Sequence, residues 1–467
     1  PAMTGKELLL RALNGEQTLR PAWLPYVGVH GASLVGVTAE EYLKSANLIV
    51  DGLSKAKELY QPDGLPIVFD LQMEAQVLGC ELKWAEKTPP SVVSHPMSLM
   101  EGDGKSLADL PAFSVDKGRF PIAFEALDQI KKQMGDEIAL YGLLTGPFTL
   151  TLHLMGNDVF MNMYDTPESV MTVMDFCAEV ACQVADAYIE HGADVIAVVD
   201  PMTSQISPEH FTEFVTPAVN KVFDHIRNKG GKGSMFVCGD ATRNLDVMTE
   251  THCDNVAIDE QIPLEKIRDL ALPAGKSFGG NLKLTTVLMM GDENDARRNT
   301  IACMDAAGDT GFILAPGCDL PYDVKPENLV AVAQMVHDEY QRDIARTAAN
   351  VSQTDTFDDV LLPDYASERD VIVDVVTLDS EGCAPCQYMF KAALDARARL
   401  ESDCKVIIRE HKITTRQGVG MMVKLGVPNL PSICIDGQCK FASIIPDTAV
   451  IVEEILKAAQ SKQEVTS

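Results

Sequence analysis

Phe312-Ile313-Leu314-Ala315-Pro316-Gly317-Cys318 is the stretch that decides the fold. Its apolar part reads as a short buried strand, and Gly317-Cys318 end that strand at a turn. Lys325-Pro326-Glu327-Asn328 then opens a helix with proline in its first turn, where an N–H would have no intrahelical partner. A cysteine at the exit of a buried strand faces whatever lies above the sheet. Met235-Phe236-Val237-Cys238-Gly239-Asp240 has the same form. Two cysteines, each at the C-terminal end of its own parallel strand, converge on one point above a barrel.

The same pattern recurs along the chain. Residues 22–29 read as a first strand ending at His30-Gly31, and residues 66–69 as a second ending at Asp70. Residues 139–144 lead to Thr145-Gly146-Pro147, and residues 195–199 end at Asp200. Residues 256–258 end at Asp259-Glu260, and residues 277–280 lead to Asn281. With residues 234–237 and 312–315 this makes eight strands, separated by helical patterns. Thr166-Pro167-Glu168 and Ser207-Pro208-Glu209 each place a hydroxyl at the cap, proline in the first turn and an acid near the positive helix end. Residues 1–345 are therefore expected to be an α/β, (β/α)8 TIM barrel with extra N-terminal helices, a doubly wound open sheet being the alternative.

Composition narrows the partners. The 467 residues carry a net charge of −29, which argues against nucleic acid and anionic membrane. No apolar run is long enough to span a bilayer. The start, Pro1-Ala2-Met3-Thr4, lacks a basic segment followed by an apolar one, and Pro1-Ala2 reads as an added remnant; a cytoplasmic location is expected. The twelve cysteines do not form the pattern of a small secreted disulfide scaffold. Cys177 and Cys182 lie in a helical pattern and read as plain buried thiols.

Beyond the barrel the composition changes. Residues 346–369 are rich in Thr, Ser and Asp, lack a helical period and read as a linker. Residues 370–467 read as a second domain, with strands at 371–376 and 405–409, a helix from Cys383-Ala384-Pro385-Cys386 to about 400, a helix near 418–425, a hairpin at 432–435 and 440–443 around Asp436-Gly437, and a last helix at 448–460. Residues 370–462 resemble thioredoxin-like domains. The resemblance implies a redox pair at Cys383 and Cys386 and a cis-proline at Pro431 facing it. A helix N-terminus favours thiolate at the first cysteine, so Cys383 is expected to be the more acidic and more exposed thiol, with Cys386 the buried resolving one. Such a domain would keep the barrel cysteines or a thiol acceptor reduced.

Asp70-Leu71-Gln72-Met73-Glu74-Ala75 with Leu78-Gly79-Cys80, Gly146-Pro147-Phe148-Thr149, Cys238-Gly239-Asp240 and Ala315-Pro316-Gly317-Cys318 give residues 5–343 a second resemblance. They are similar to the uroporphyrinogen decarboxylase superfamily, most of all its corrinoid-dependent branch, such as the methylcobalamin:coenzyme M methyltransferases. In that branch zinc is held by a His-x-Cys pair and a later cysteine. Cys238 and Cys318 match the cysteines, while Phe236 stands at the histidine position. A zinc site would then draw its third ligand from Glu74, His30 or His153; a decarboxylase active-site tyrosine aligns with His153.

The resemblance implies that Asp70 and Glu74 orient the acceptor or the corrinoid. An Asp-x-His-x-x-Gly corrinoid-binding stretch is absent from the sequence, so methylcobalamin is expected on a separate corrinoid protein, with a small-molecule thiol or other acceptor; a homodimer is left open. The alternative is a non-catalytic corrinoid- or tetrapyrrole-binding barrel beside an active redox domain. Uroporphyrinogen decarboxylation is disfavoured. Asp70 matches the decarboxylase aspartate that binds pyrrole N–H groups, but Val27-Gly28-Val29-His30-Gly31-Ala32-Ser33 lacks the arginines that pair with the tetrapyrrole carboxylates.

Overall fold

The computed structural model describes residues 2–347 and 356–466. The chain divides into two compact units, Pro1–Asn350 and Val351–Ser467. In the first, eight parallel strands follow one another: β1 (Ala22–Trp23), β2 (Gly64–Pro66), β3 (Ala139–Thr145), β4 (Val195–Val199), β5 (Lys232–Val237), β6 (Asn255–Ile258), β7 (Ser277–Leu282) and β8 (Phe312–Pro316). Their order in the sheet is β1-β8-β7-β6-β5-β4-β3-β2. Asp63 knits the two remaining edges together. Its backbone N–H donates to the Trp23 carbonyl at 2.8 Å, its side chain accepts the Trp23 N–H at 2.8 Å, and Arg20 pairs with the same carboxylate at 2.6 Å. The sheet is thus a nearly closed (β/α)8 barrel, its two end strands tied through Asp63.

Strands of such a barrel are covered on both faces, which explains their nearly unbroken apolar runs. Tyr26, Phe69, Tyr141, Leu143, Val199, Phe236, Ile313 and Ala315 fill the interior. The helix Gly5–Leu13, capped by the Thr4 side chain on the Glu7 N–H, closes the N-terminal end with Leu8, Leu9, Ala12 and Leu13.

The first strand is shorter than its apolar run suggested. Pro25 has no N–H to give the ladder, and the chain instead folds on itself, with Val27 N–H donating to the Pro25 carbonyl at 2.9 Å. Residues 24–30 remain buried. Of the two caps read from the sequence, Ser207 accepts the His210 N–H, whereas Thr166 makes no side-chain cap bond.

In the second unit, β9 (Val371–Thr377), β10 (Val406–Lys412), β11 (Ser432–Ile435) and β12 (Gln438–Ala442) form one sheet in the order β10-β9-β11-β12. β9 and β10 run parallel, and β11 and β12 are antiparallel to their neighbours. Asp436 and Gly437 both have positive φ, as a two-residue hairpin turn requires. Helices Ala384–Arg399 and Thr448–Thr466 cover one face with Met389, Ala392, Ala393, Ala396, Ile451 and Ile455. Helix Arg416–Leu425 follows β10.

The expected linker needs correction. Residues 348–355 lie outside the described residues, but those after them pack on the second unit. Val360 is buried against Gly420, Asp359 pairs with Arg416 at 2.8 Å, and the Tyr365 hydroxyl donates to Asp374 at 2.7 Å. Asp374 lies fully buried in β9, and burial opposes its charge. Bonds from His411 and Tyr365 and the charge of Arg409 outweigh that and hold its carboxyl below the usual range. Helix Glu339–Thr347 runs past the expected barrel end. Tracts of Asp, Ser and Thr read as linker because their composition is polar, yet single residues such as Val360 and Tyr365 suffice to tie one down.

Candidate active site

The strand exits gather a ring of acids and two cysteines at the C-terminal end of the barrel, the end where such folds place their chemistry. Asp70 and Glu74 follow β2, Asp200 follows β4, Cys238 and Asp240 follow β5, Asp259 and Glu260 follow β6, and Cys318 and Asp319 follow β8. The groups are close enough to influence one another: the charge of Asp70 helps to raise both Glu74 and Asp319.

Each acid has a different setting. Asp70 is buried and pairs with Arg119 at 2.6 Å, while Gln72 N–H donates to its other oxygen at 2.9 Å. Arg119 also lies over the Trp84 ring, 4.7 Å from its centre. Glu74 is 2% exposed, and burial pushes it up to about 7 although the Thr145 N–H donates to it at 2.6 Å. Asp200 is raised to about 6 by burial. It caps helix Pro147–Met155 by accepting Phe148 N–H at 3.0 Å, Thr149 N–H at 2.8 Å and the Thr149 hydroxyl at 2.7 Å. Burial and then Asp259 raise Glu260 to about 8. Asp319, raised well above the usual range by burial, accepts the Gly28 N–H; a Cβ at Gly28 would collide with its carboxylate.

Of the histidines considered as metal ligands, His30 is engaged at both ring nitrogens. His30 is fully buried, with Nε2 2.7 Å from the Tyr60 hydroxyl and Nδ1 3.3 Å from the Tyr322 carbonyl; burial pushes its pKa down to about 4. His153 is 1% exposed, and burial and then His95 push it down to about 3, with a Leu71 backbone bond opposing them. Both imidazoles are neutral parts of the packing.

Cys238 and Cys318 do meet, as expected, but as a disulfide with 5.8 Å between Cα atoms. Phe236, at the position of the missing histidine, packs fully buried 4.8 Å from the Tyr26 ring and 5.9 Å from Phe69. Among the described residues no three His, Cys, Asp or Glu side chains are placed to hold a metal ion. The donor set therefore does not fit zinc, and neither His30, His153 nor Glu74 supplies the third ligand.

In the second unit Cys383 is part-exposed and Cys386 buried. The Cys383 sulfur accepts the Cys386 N–H at 3.3 Å at the start of helix Ala384–Arg399, and the Leu430–Pro431 bond is cis. The expected acidity of Cys383 is not found. Its hydrogen bond with the Cys386 thiol, followed by burial, pushes it up, and the helix N–H only partly offsets them.

Arg119, Asp319 and Glu260 were absent from the sequence-based set of site residues. Asp319 and Glu260 each follow a predicted strand, the same signal that marked Asp70. Arg119 lies in a long connection before helix Phe120–Met134, and no motif marks it.

Fold and site together define a (β/α)8 barrel with its reactive groups at the strand exits. Residues 4–339 match the uroporphyrinogen decarboxylase (URO-D) family, and the chain belongs to that family. A methylcobamide:CoM methyltransferase, MtbA of Methanosarcina acetivorans, is 28% identical over 261 residues, covering 55% of this chain and 74% of that protein. Another, MtaA of Methanosarcina barkeri, is 26% identical over 290 residues, covering 60% and 82%. A solved methyltransferase structure from Methanosarcina mazei superposes with a TM-score of 0.66 at 23% identity, over 73% of this chain and all of that one, which supports the fold. No described helix is long and apolar enough to cross a membrane.

Proposed function

We infer that the barrel is a methyltransferase that takes a methyl group from a methylated corrinoid, carried by a separate protein, and gives it to a thiol or related acceptor. The observation that carries this reading is Glu74, a buried carboxylate raised to about 7 at the barrel exit, in a chain whose similar proteins are methylcobamide:CoM methyltransferases. A cobalt-bound methyl group is an electrophile, and attack by a thiolate leaves the corrinoid as Co(I). The acceptor thiol must lose its proton for this. A carboxylate with a pKa near neutrality is matched to that task, being partly ionised at pH 7 yet basic enough to take the proton. Asp70, paired with Arg119, accepts the Gln72 N–H and so holds the turn that leads into helix Met73–Val77, which carries Glu74, and Asp200 and Thr145 fix the neighbouring backbone. No step needs a zinc ion, for which the donor set is wrong.

Decarboxylation of a polycarboxylate tetrapyrrole fits poorly. Asp319 rather than arginine stands against Gly28 in the N-terminal loop, and the matching Asp70 already has a cation. Unpaired buried carboxylates would cost several kcal/mol, roughly 3–5 for each broken pair. The redox unit is read as maintaining thiols in their reduced state.

The test is anaerobic demethylation of methylcobalamin by the pure protein with a panel of small thiols, followed by the Co(I) absorption. Glu74→Gln should lower the rate about 10²- to 10⁴-fold. Coproporphyrinogen made from uroporphyrinogen, with no demethylation, would replace this reading with the decarboxylase one.

A further inference from the structure

We propose that Cys238–Cys318 is a reversible redox couple at the barrel mouth, standing where a metal centre would need thiolates, and that a CxxC dithiol of the kind this sequence carries is its reductant. The proposal does not depend on which methyl acceptor the barrel uses. β5 and β8 are not neighbours: β6 and β7 lie between them in the sheet, so the bond joins two separated strand exits. Both positions are flanked by a glycine in close contact with β6's exit. Gly239 follows Cys238 at φ +98° and donates its N–H to Asp259 at 2.9 Å. A Cβ at Gly317, just before Cys318, would collide with Glu260. The two Cα atoms lie 5.8 Å apart, within the span a disulfide bridges.

Exposure separates this pair from the other barrel cysteines. Cys238 and Cys318 are part-exposed, whereas Cys80, Cys177, Cys182, Cys253 and Cys303 are buried. Burial also pushes Cys80 and Cys177 up to about 12 and Cys182 and Cys303 up to about 11, and it keeps those thiols out of reach of another sulfur. Cys383 is the accessible partner: its thiol is also pushed up, by the Cys386 thiol beside it and then by burial, but it is part-exposed at a helix N-terminus with Cys386 behind it, and alkaline pH supplies its thiolate.

The exchange balances as follows. The Cys383 thiolate attacks one sulfur of the Cys238–Cys318 bond, forming a mixed disulfide, and the other barrel cysteine leaves as thiolate and takes a proton from water. The Cys386 sulfur, after losing its proton to solvent, attacks Cys383, releasing the second barrel cysteine. Two electrons pass from the CxxC pair, which ends as a disulfide, to the barrel pair, which ends as two thiols. Reduction uncovers two thiols at the barrel exit; oxidation by a small disulfide such as oxidised glutathione removes them.

The test uses full-length Cys386→Ser at pH 8.5. The barrel pair is first oxidised with glutathione disulfide, and Cys383 is then freed with a limiting amount of dithiothreitol. Alkylation and peptide mapping should find Cys383 linked to Cys238 or Cys318, and the link should vanish in Cys383→Ser/Cys386→Ser. A monomer-sized band on a non-reducing gel marks exchange within one chain, a dimer-sized band exchange between two. Wild-type protein should gain two alkylation sites, at Cys238 and Cys318, when its CxxC pair is reduced. The proposal is overturned if both barrel cysteines remain fully alkylated after oxidation, or if Cys383 links only to glutathione. One zinc per chain that disappears in Cys318→Ala would also overturn it.

Discussion

Glu74→Gln should stabilise the barrel more as the pH rises. In the folded chain burial raises Glu74 from 4.5 to about 7, so the folded state holds its proton more tightly than the unfolded state does. A raised carboxylate contributes stability that is fully present below the unfolded value and is lost as pH rises through the folded one. One pKa step is worth about 1.4 kcal/mol, so the loss between pH 5 and pH 8 is about 2.5 kcal/mol. Glutamine has no charge to lose and its amide oxygen can still accept the Thr145 N–H. The stability difference between variant and wild type should therefore shift by about 2–3 kcal/mol in favour of glutamine between pH 5 and pH 8. Urea unfolding followed by tryptophan fluorescence measures this for the barrel alone, because both tryptophans, Trp23 and Trp84, belong to it. A difference that is the same at both pH values would refute the raised carboxyl and with it the base assigned to Glu74.

Two further outcomes follow from specific contacts. Arg119→Met strips the buried Asp70 of its cation and should cost about 3–5 kcal/mol, part of which Asp70→Asn restores in the double variant; a cost under about 1 kcal/mol would show the pair to be solvated. A fragment of residues 370–467 should be less stable than one of residues 356–467 by about 3 kcal/mol, from the lost burial of Val360 and the Tyr365–Asp374 hydrogen bond. Equal midpoints in urea would mean that residues 356–369 contribute nothing.

The barrel was legible because its strands are buried on both faces, and runs such as Val195–Val199 and Phe312–Ile313-Leu314 carry that burial in their composition. Boundaries slipped where backbone chemistry intervened, as at Pro25. The site was legible only in part. Asp70, Glu74, Cys238 and Cys318 are marked by position after a strand, but their partners come from distant segments. Arg119, which neutralises Asp70, and Tyr60, which takes up His30, are set by tertiary packing, and local sequence holds no sign of either pairing. The zinc expectation rested on residue type at two positions. Folding decided it through the third, where Phe236 joins the Tyr26–Phe69 aromatic cluster instead of reaching the cysteines. The acidity expected of Cys383 used only the helix end and left out the thiol beside it.

The central claim is methyl transfer from a corrinoid, and isotopic labelling tests it most directly. The protein is incubated without oxygen with ¹³C-methylcobalamin and a mixture of small thiols, and the products are read by mass spectrometry. The account predicts labelled methyl thioether formed in step with Co(I), and its near absence with Glu74→Gln. Label that stays on cobalt while the protein binds the corrinoid would contradict it and leave the barrel a binding module.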